Sequence, residues 1–306
     1  LSGTLEYFSK KAVDLLSGTP VDPSTGFTQM TQNAAHLNGR GVDIRLQAVL
    51  SEGAFGWNTT LLFSHVTNKV SRYLLQSSNK SAYVGYGYSI TPLEGYHPYS
   101  LFSYRWAGLD GATGNPTGLT AGQKSMDYAA LVNRPLFEDL VYHGTTRPAF
   151  FGNLLSAFTW KGISLSANIS YKLGYYFRGN TISYSNLFNA WGAHRDYEKR
   201  WQKPGDEAST TVPSLAYPAD ANRDRFYAFS EATVERGDHL RLQDINLSYS
   251  PTIRQGRHTL MKDTQLYLYA SNLGVIWRAN KRKLDPDYGT ALPAPFALAV
   301  GIKTNF

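Results

Sequence analysis

Apolar and polar residues alternate strictly along several stretches of this chain. From Ile163 to Phe177 the odd positions are Ile163, Leu165, Ala167, Ile169, Tyr171, Leu173, Tyr175 and Phe177. The even positions are Ser164, Ser166, Asn168, Ser170, Lys172, Gly174 and Tyr176. Successive side chains of a strand point to opposite faces, so the pattern predicts a strand with one apolar and one small, polar face. Val42, Ile44, Leu46, Ala48 and Leu50 alternate in the same way with Asp43, Arg45, Gln47 and Val49. So do Phe296, Leu298, Val300, Ile302 and Phe306 with Ala297, Ala299, Gly301, Lys303 and Asn305. These runs exceed the ~5–6 residues of a soluble strand and suit the ~9–11 of a tilted membrane strand. Aromatic residues stand at run ends (Phe55 and Trp57, Phe158 and Trp160, Tyr175 and Phe177), where a membrane barrel carries its interfacial girdle. A soluble antiparallel sandwich with one wet face shares the alternation.

Connection lengths separate the two. Strands are expected near 3–16, 40–51, 55–69, 148–160, 163–177, 239–250, 263–273 and 295–306. Between them lie 17–39 (long), Glu52-Gly53-Ala54 (short), 70–147 (long), Lys161-Gly162 (short), 178–238 (long), 251–262 (short) and 274–294 (long). Short turns on one side and long loops on the other are the pattern of an outer-membrane barrel. A sandwich gives no reason for it. Two strands read less cleanly. In 239–250 the apolar phase changes from Leu240 and Leu242 to Ile245, Leu247 and Tyr249, which a bulge, or an upper half projecting beyond the bilayer, would explain. In 263–273 both faces carry apolar groups, Tyr267 and Tyr269 against Leu266, Leu268 and Ala270, so its lipid face is open.

Composition narrows the classes. No stretch approaches the ~18 apolar residues of a membrane helix, and mean hydropathy is −0.33. The chain has 306 residues, 21 Tyr, 15 Phe, 6 Trp and no cysteine. A disulfide framework, a thiolate metal site and a cysteine nucleophile are thereby excluded. The formal charge is +7, but the Lys and Arg are scattered, without the dense basic run that nucleic acid would call for. Leu1-Ser2-Gly3-Thr4 has no signal-peptide character, which suggests a mature piece or a fragment.

Several ordered blocks resemble the SusC/RagA branch of TonB-dependent outer-membrane transporters. Leu5-Glu6-Tyr7-Phe8 and Asn38-Gly39-Arg40-Gly41-Val42-Asp43 resemble its strand entries. The most specific block is Tyr104-Arg105-Trp106-Ala107-Gly108-Leu109-Asp110 followed by Thr113-Gly114-Asn115-Pro116. Pro148-Ala149-Phe150-Phe151-Gly152 and Gly174-Tyr175-Tyr176-Phe177-Arg178 fit a hairpin. Val234-Glu235-Arg236-Gly237-Asp238-His239-Leu240-Arg241-Leu242 is similar to a signature before a late strand. Leu284-Asp285-Pro286-Asp287 resembles a penultimate loop, and Phe306 resembles the terminal aromatic of barrel proteins. The resemblance implies an all-β fold: about eight strands of an antiparallel transmembrane β-barrel segment with long extracellular loops, cut from a larger, 22-stranded, plugged barrel. Residues 1–306 would be its C-terminal portion, with plug and TonB box not present. The implied function is TonB-dependent import of oligosaccharide, with peptide as the alternative, across the outer membrane of a Gram-negative bacterium. Implied partners are a SusD-like surface lipoprotein, TonB through the missing region, outer-membrane lipid, and a second copy of the transporter. A passive porin-like barrel and a soluble carbohydrate-binding domain stay open.

Candidate chemistry is sparse. There is no HExxH, G-x-S-x-G or Walker loop, and the seven His form no helical pair for zinc. Neither an enzyme nor a cofactor is expected. Asp220, Asn222, Asp224 and Glu231 mimic calcium-loop spacing, but Arg225 stands where the glycine belongs. An ordinary polar loop is the plainer reading, and the same holds for Asp285-Pro286-Asp287. The long loops are rich in aromatics, whose flat faces suit sugar rings and wet interfaces. Tyr104, Trp106, Trp191, Tyr197 and Trp201 are candidates for contact with substrate or the lipoprotein lid, although long loops also need aromatic cores of their own. Asp43, Arg45, Asn168, Lys172 and Lys303 would face the lumen if the apolar series faces lipid.

Overall fold

Chemically, the alternation described above asks for a sheet wetted on one side and greased on the other, and the computed structural model forms it. It describes residues 1–20, 22, 24, 26–27, 29–75, 79–251, 262–289 and 291–305. In chain order the strands are β1 (Ser2–Pro20), β2 (Gln29–Ser51), β3 (Phe55–Tyr73), β4 (Ser100–Tyr104), β5 (Trp106–Leu109), β6 (Pro116–Thr120), β7 (Gln123–Ser125), β8 (Leu140–Thr145), β9 (Phe150–Trp160), β10 (Ile163–Leu173), β11 (Tyr176–Arg178), β12 (Val234–Arg236), β13 (His239–Tyr249), β14 (Lys262–Arg278) and β15 (Ala297–Asn305). Short helices α1 (Tyr128–Asn133), α2 (Tyr184–Ala190) and α3 (Ala221–Ala228) lie in the loops. No helix among the described residues is long and apolar enough to cross a membrane.

Eight strands form one antiparallel sheet in the order β1-β2-β3-β9-β10-β13-β14-β15, and β1 and β15 are its edges. The sheet is therefore an arc and not a closed eight-stranded barrel. The remaining strands make small sheets within the loops. The register lines up side chains in rows across the arc. One row is Phe55, Trp160, Ile163, Tyr249, Leu266 and Ile302. The next is Trp57, Phe158, Leu165, Leu247, Leu268 and Val300. Farther along the strands, Leu5, Ile44, Phe63, Gly152, Tyr171 and Leu240 stand side by side. Leu5, Trp160, Ile163, Leu165, Leu247, Leu268 and Val300 are all exposed, and among the described residues no second sheet packs over them. A contiguous apolar surface of this extent is far beyond what a soluble monomer leaves to water. It fits the lipid-facing band of a barrel, in which every backbone group must be paired within the sheet.

Length agrees with that assignment. β9, β10 and β13 have 11 residues each. At ~3.3 Å per residue and a ~45° tilt, 11 residues rise ~26 Å, the height of the apolar band. β1, β2 and β3, with 19, 23 and 19 residues, continue past it at the long-loop end, whereas the 17-residue β14 overhangs β13 at the short-turn end. Much of the expected long segment 17–39 is accordingly strand: β1 and β2 stay paired from Ser2↔Gln47 to Pro20↔Gln29. At the opposite end, Lys161 (φ 46°) and Gly162 (φ 82°) both have positive φ, as a two-residue hairpin of matching twist requires.

The ambiguous strands resolve. Opposite β10, pairing jumps from Asn168↔Asp244 to Ile169↔Leu242, so Gln243 is the extra residue that shifts the apolar phase. On β14, Leu266, Leu268 and Ala270 join the outer face, and Tyr267 and Tyr269 point the other way, opposite Ser248 and Asn246. Tyr267 then lies over Gly301, as Tyr171 does over Gly152 on the outside, filling the space a glycine leaves in a strand. The strand expected through Phe177 ends at Leu173. Gly174 (φ 75°) breaks it and donates its N–H to Asp238 Oδ1 at 2.7 Å, turning the chain out of the wall. Phe306 and most of the 251–262 connection lie outside the described residues.

Candidate functional site

The inner face is set by the same register. Asp43, Arg45, Asn168, Lys172 and Lys303 all occupy the face opposite the apolar rows. Much of it is tied into polar chains across strands. Ser64 donates to Asp43, Asn153 to Asn168 at 2.8 Å, and Asn168 to Asp244 at 3.1 Å. Gln243, the bulged residue, donates to Ser170 at 2.6 Å. Amides and hydroxyls in such pairs satisfy one another while leaving the wall hydrophilic.

At the long-loop end of this wall the 279–296 loop folds inward. Lys172 donates to Asp287 Oδ1 at 2.6 Å. His239 Nε2 and Arg241 Nε both meet Asp287 Oδ2 at 3.2 Å, and Arg241 also pairs with Asp285. Burial pushes the Asp287 carboxyl up, but hydrogen bonds from His239 and Lys172, with their charges, outweigh it and hold the group below the usual carboxylate range. The Asp-Pro-Asp turn is thus an ion-pair hub that fastens the loop to β10 and β13. Beside it two adjoining voids of about 440 and 370 Å³ share Arg147, Pro148 and Lys172 in their walls. Tyr88, Tyr175 and Tyr288 line the larger and His97 and Phe151 the smaller. Burial and the neighbouring Arg147 charge hold His97 below the ordinary histidine pKa, despite the Tyr99 N–H bond to its ring.

Above the wall, the 74–149 and 174–238 loops share two aromatic cores. One gathers Tyr83, Phe102, Tyr104, Tyr128, Leu131 and Phe226, the other Ile182, Tyr184, Val212 and Tyr227, with Trp106 against both. Arg178 joins the loops. It is 2% exposed and donates to the carbonyls of Phe102 (2.8 Å), Gly85 (3.2 Å), Ala228 (3.4 Å) and Ser230 (2.9 Å) and to the Thr233 hydroxyl (2.8 Å). Burial lowers its pKa to about 10, so it stays charged at neutral pH. Arg223 plays a parallel part, reaching Asn115 Oδ1 at 2.9 Å and the Ser214 carbonyl at 2.8 Å. Arg282 brings in the third loop through Asp196 at 2.9 Å.

The aromatic candidates divide. Tyr104 is 2% exposed, and its hydroxyl donates to Val132 O at 3.2 Å. Trp201 is 8% exposed, donates to Glu207 at 2.9 Å, and closes on Gly114 (φ 68°), where a Cβ would come within 2.3 Å of the indole. Trp106 stacks on Phe226, and the Tyr197 ring carries the Arg200 guanidinium at 4.0 Å. Trp191 is different: it ends α2 in the left-handed region and is 90% exposed. The five do not converge on one cavity. The carboxylates with calcium-like spacing are also dispersed: Asp220 caps α3, Asp224 accepts from Ser183 and Ser185, and Glu231 from the Trp106 N–H. Tyr88 belongs to the aromatic-rich loop that the sequence marks, but sequence reasoning does not reach Arg147 and Tyr288. Strand parity marks Lys172 and Arg241 as inner-wall cations, but nothing local marks a loop arginine as part of the same cleft.

A lipid-facing antiparallel arc with short turns at one end and long, cored loops at the other defines a segment of a membrane-spanning β-barrel. Its fold is that of TonB-dependent transporter barrels. Residues of this chain align with TonB-dependent receptor P26 of Formosa agariphila at 24% identity over 92% of this chain and 29% of that protein. The structure matches that of the RagAB peptide transporter with a TM-score of 0.72 at 20% identity. It covers 99% of this chain and 33% of that one. The RagAB importer in its closed-closed and open-open states matches equally, with a TM-score of 0.74 in each. No protein-family model matches. The chain spans about a third of the length of these relatives.

Proposed function

We propose that this chain is the C-terminal part of the barrel of an outer-membrane importer that takes up a nutrient through its lumen under TonB control, in a Gram-negative bacterium. The observation that carries the reading is the two-sided arc: an unbroken apolar exterior across eight strands and, on the other face, a polar wall ending in a cleft under the loops. The match to RagAB over nearly the whole chain supports it. The importer has no covalent chemistry to perform. Its barrel holds the loops in place, and the loops meet the substrate. Oligosaccharide is the lead substrate, on the strength of the loop aromatics, and peptide the alternative, which the RagAB likeness favours. The plug and the TonB-contacting segment would belong to the rest of the protein. A SusD-like lipoprotein would cover the loop layer, where exposed Trp191 is one contact, and two such transporters would pair.

The test is uptake of labelled oligosaccharide and peptide pools by cells carrying the whole transporter. Uptake should stop when TonB is deleted or the membrane is de-energised. Uptake that continues without TonB would establish a passive pore instead.

A further inference from the structure

The cleft at the top of the inner wall carries an unbalanced cation. Lys172 and Arg241 are offset by Asp287 and Asp285. Arg147 has no carboxylate within ion-pair distance among the described residues. Its guanidinium lies 4.6 Å over the Tyr99 ring, and the side chain is exposed at the point where the two voids meet. The stacking holds the guanidinium plane and leaves its N–H edges unpaired, and those edges suit a planar oxyanion. The Asp287 carboxylate nearby is already claimed by Lys172, His239 and Arg241. It therefore does not neutralise Arg147. Exposed Tyr88 in the same wall provides a flat face and a hydroxyl for the uncharged body of a ligand.

We propose that Arg147 is a specificity-determining residue that receives a carboxylate of the imported molecule, so that the transporter prefers acidic to neutral substrates of the same size. This rests on the import reading given above and names the substrate class for it. The carboxylate could be a uronic acid of an oligosaccharide or the C-terminus of a peptide, and the two are separable. Binding to the purified whole transporter would be measured by calorimetry with four probes: tetragalacturonate, its methyl ester, tetra-alanine and tetra-alanine amide. In the wild type, the acid member of one pair should bind about tenfold to a hundredfold more tightly than its neutral partner. The pair in which this occurs identifies the source. Arg147→Gln should abolish the preference by weakening the acid member about tenfold to a hundredfold, far more than the neutral one, and Arg147→Lys should restore part of it. Salt should weaken the acid probe selectively. Equal binding of acid and neutral probes, or a preference that survives Arg147→Gln, overturns this proposal and leaves import standing. Failure of every probe to bind overturns the oligosaccharide-or-peptide reading itself, and the proposal with it.

Discussion

Arg178 is a buried cation held entirely by carbonyl oxygens and one hydroxyl, and its replacement by methionine should release the two large loops from each other. The carbonyls of Ala228 and Ser230 also accept from the Thr233 hydroxyl, at 2.9 and 3.0 Å, and keep that donor in the variant. The loss falls chiefly on Gly85 and Phe102, which belong to the other loop. A buried acceptor stripped of its donor costs ~1–3 kcal/mol. The guanidinium also sits 5.2 Å from the Phe229 ring, a contact worth ~1–2 kcal/mol when desolvated. Against these stands relief from burying a charge. A net loss of about 3 kcal/mol follows, confined to the loop layer because the sheet below is joined by its own ladder. Hydrogen exchange of the whole transporter reads this directly. Amides in β4, β11 and β12 should exchange roughly a hundredfold faster in Arg178→Met, at about tenfold per 1.4 kcal/mol, while β9 and β10 stay unchanged. Arg178→Lys should fall between, because one ammonium cannot reach both loops. Exchange in β4 within about threefold of wild type would refute the argument that this side chain joins the loops.

Asp287→Asn should loosen the 279–296 loop by about 2 kcal/mol, since it weakens three charge-assisted bonds; protease cleavage of that loop would report it. The depressed Asp287 pKa fixes the sign of the pH effect. The loop's attachment should be complete above the ordinary aspartate value near 4 and be lost only as pH falls from there, which cleavage rates across pH would follow. Trp201→Ala should lower the stability of the loop layer by about 3–5 kcal/mol in thermal unfolding, and Trp191→Ala should change it by less than about 0.5. Gly114→Ala meets both a left-handed backbone and the Trp201 ring, so it should reproduce most of the Trp201→Ala loss in the same unfolding assay.

The sheet was legible because lipid and lumen impose a two-residue period that soluble packing would blur. Ile163 to Leu173 and Val42 to Leu50 declare their faces outright, and the phase change between Leu242 and Ile245 marks an irregularity that the pairing resolves as a bulge at Gln243. What the alternation cannot give is where a strand stops. β10 ends at Leu173 because Asp238, more than sixty residues away, captures the Gly174 N–H. β1 and β2 continue because they have each other to pair with, although their sequence there is polar. The loops were the harder part. Aromatic richness marks Tyr104, Trp106 and Trp201 but does not separate a core residue from a contact residue. That difference is made by Phe226, Glu207 and Gly114, none adjacent to them in sequence. Arg178 and the Asp285-Pro286-Asp287 turn stood inside blocks shared with the transporter family, yet their task of joining loops became visible only with their acceptors in place.

The most direct measurement is nitroxide scanning along β10. The chain has no cysteine, so single cysteines placed at 163 through 171 in the whole transporter would carry the only labels on this segment. Once the transporter is in a lipid bilayer, labels at 163, 165, 167 and 169 should collide mainly with dissolved oxygen. Labels at 164, 166 and 168 should collide mainly with a water-soluble nickel chelate. The reverse phase, or equal protection of both series, would mean that the side of β10 bearing Leu165 does not face the acyl chains.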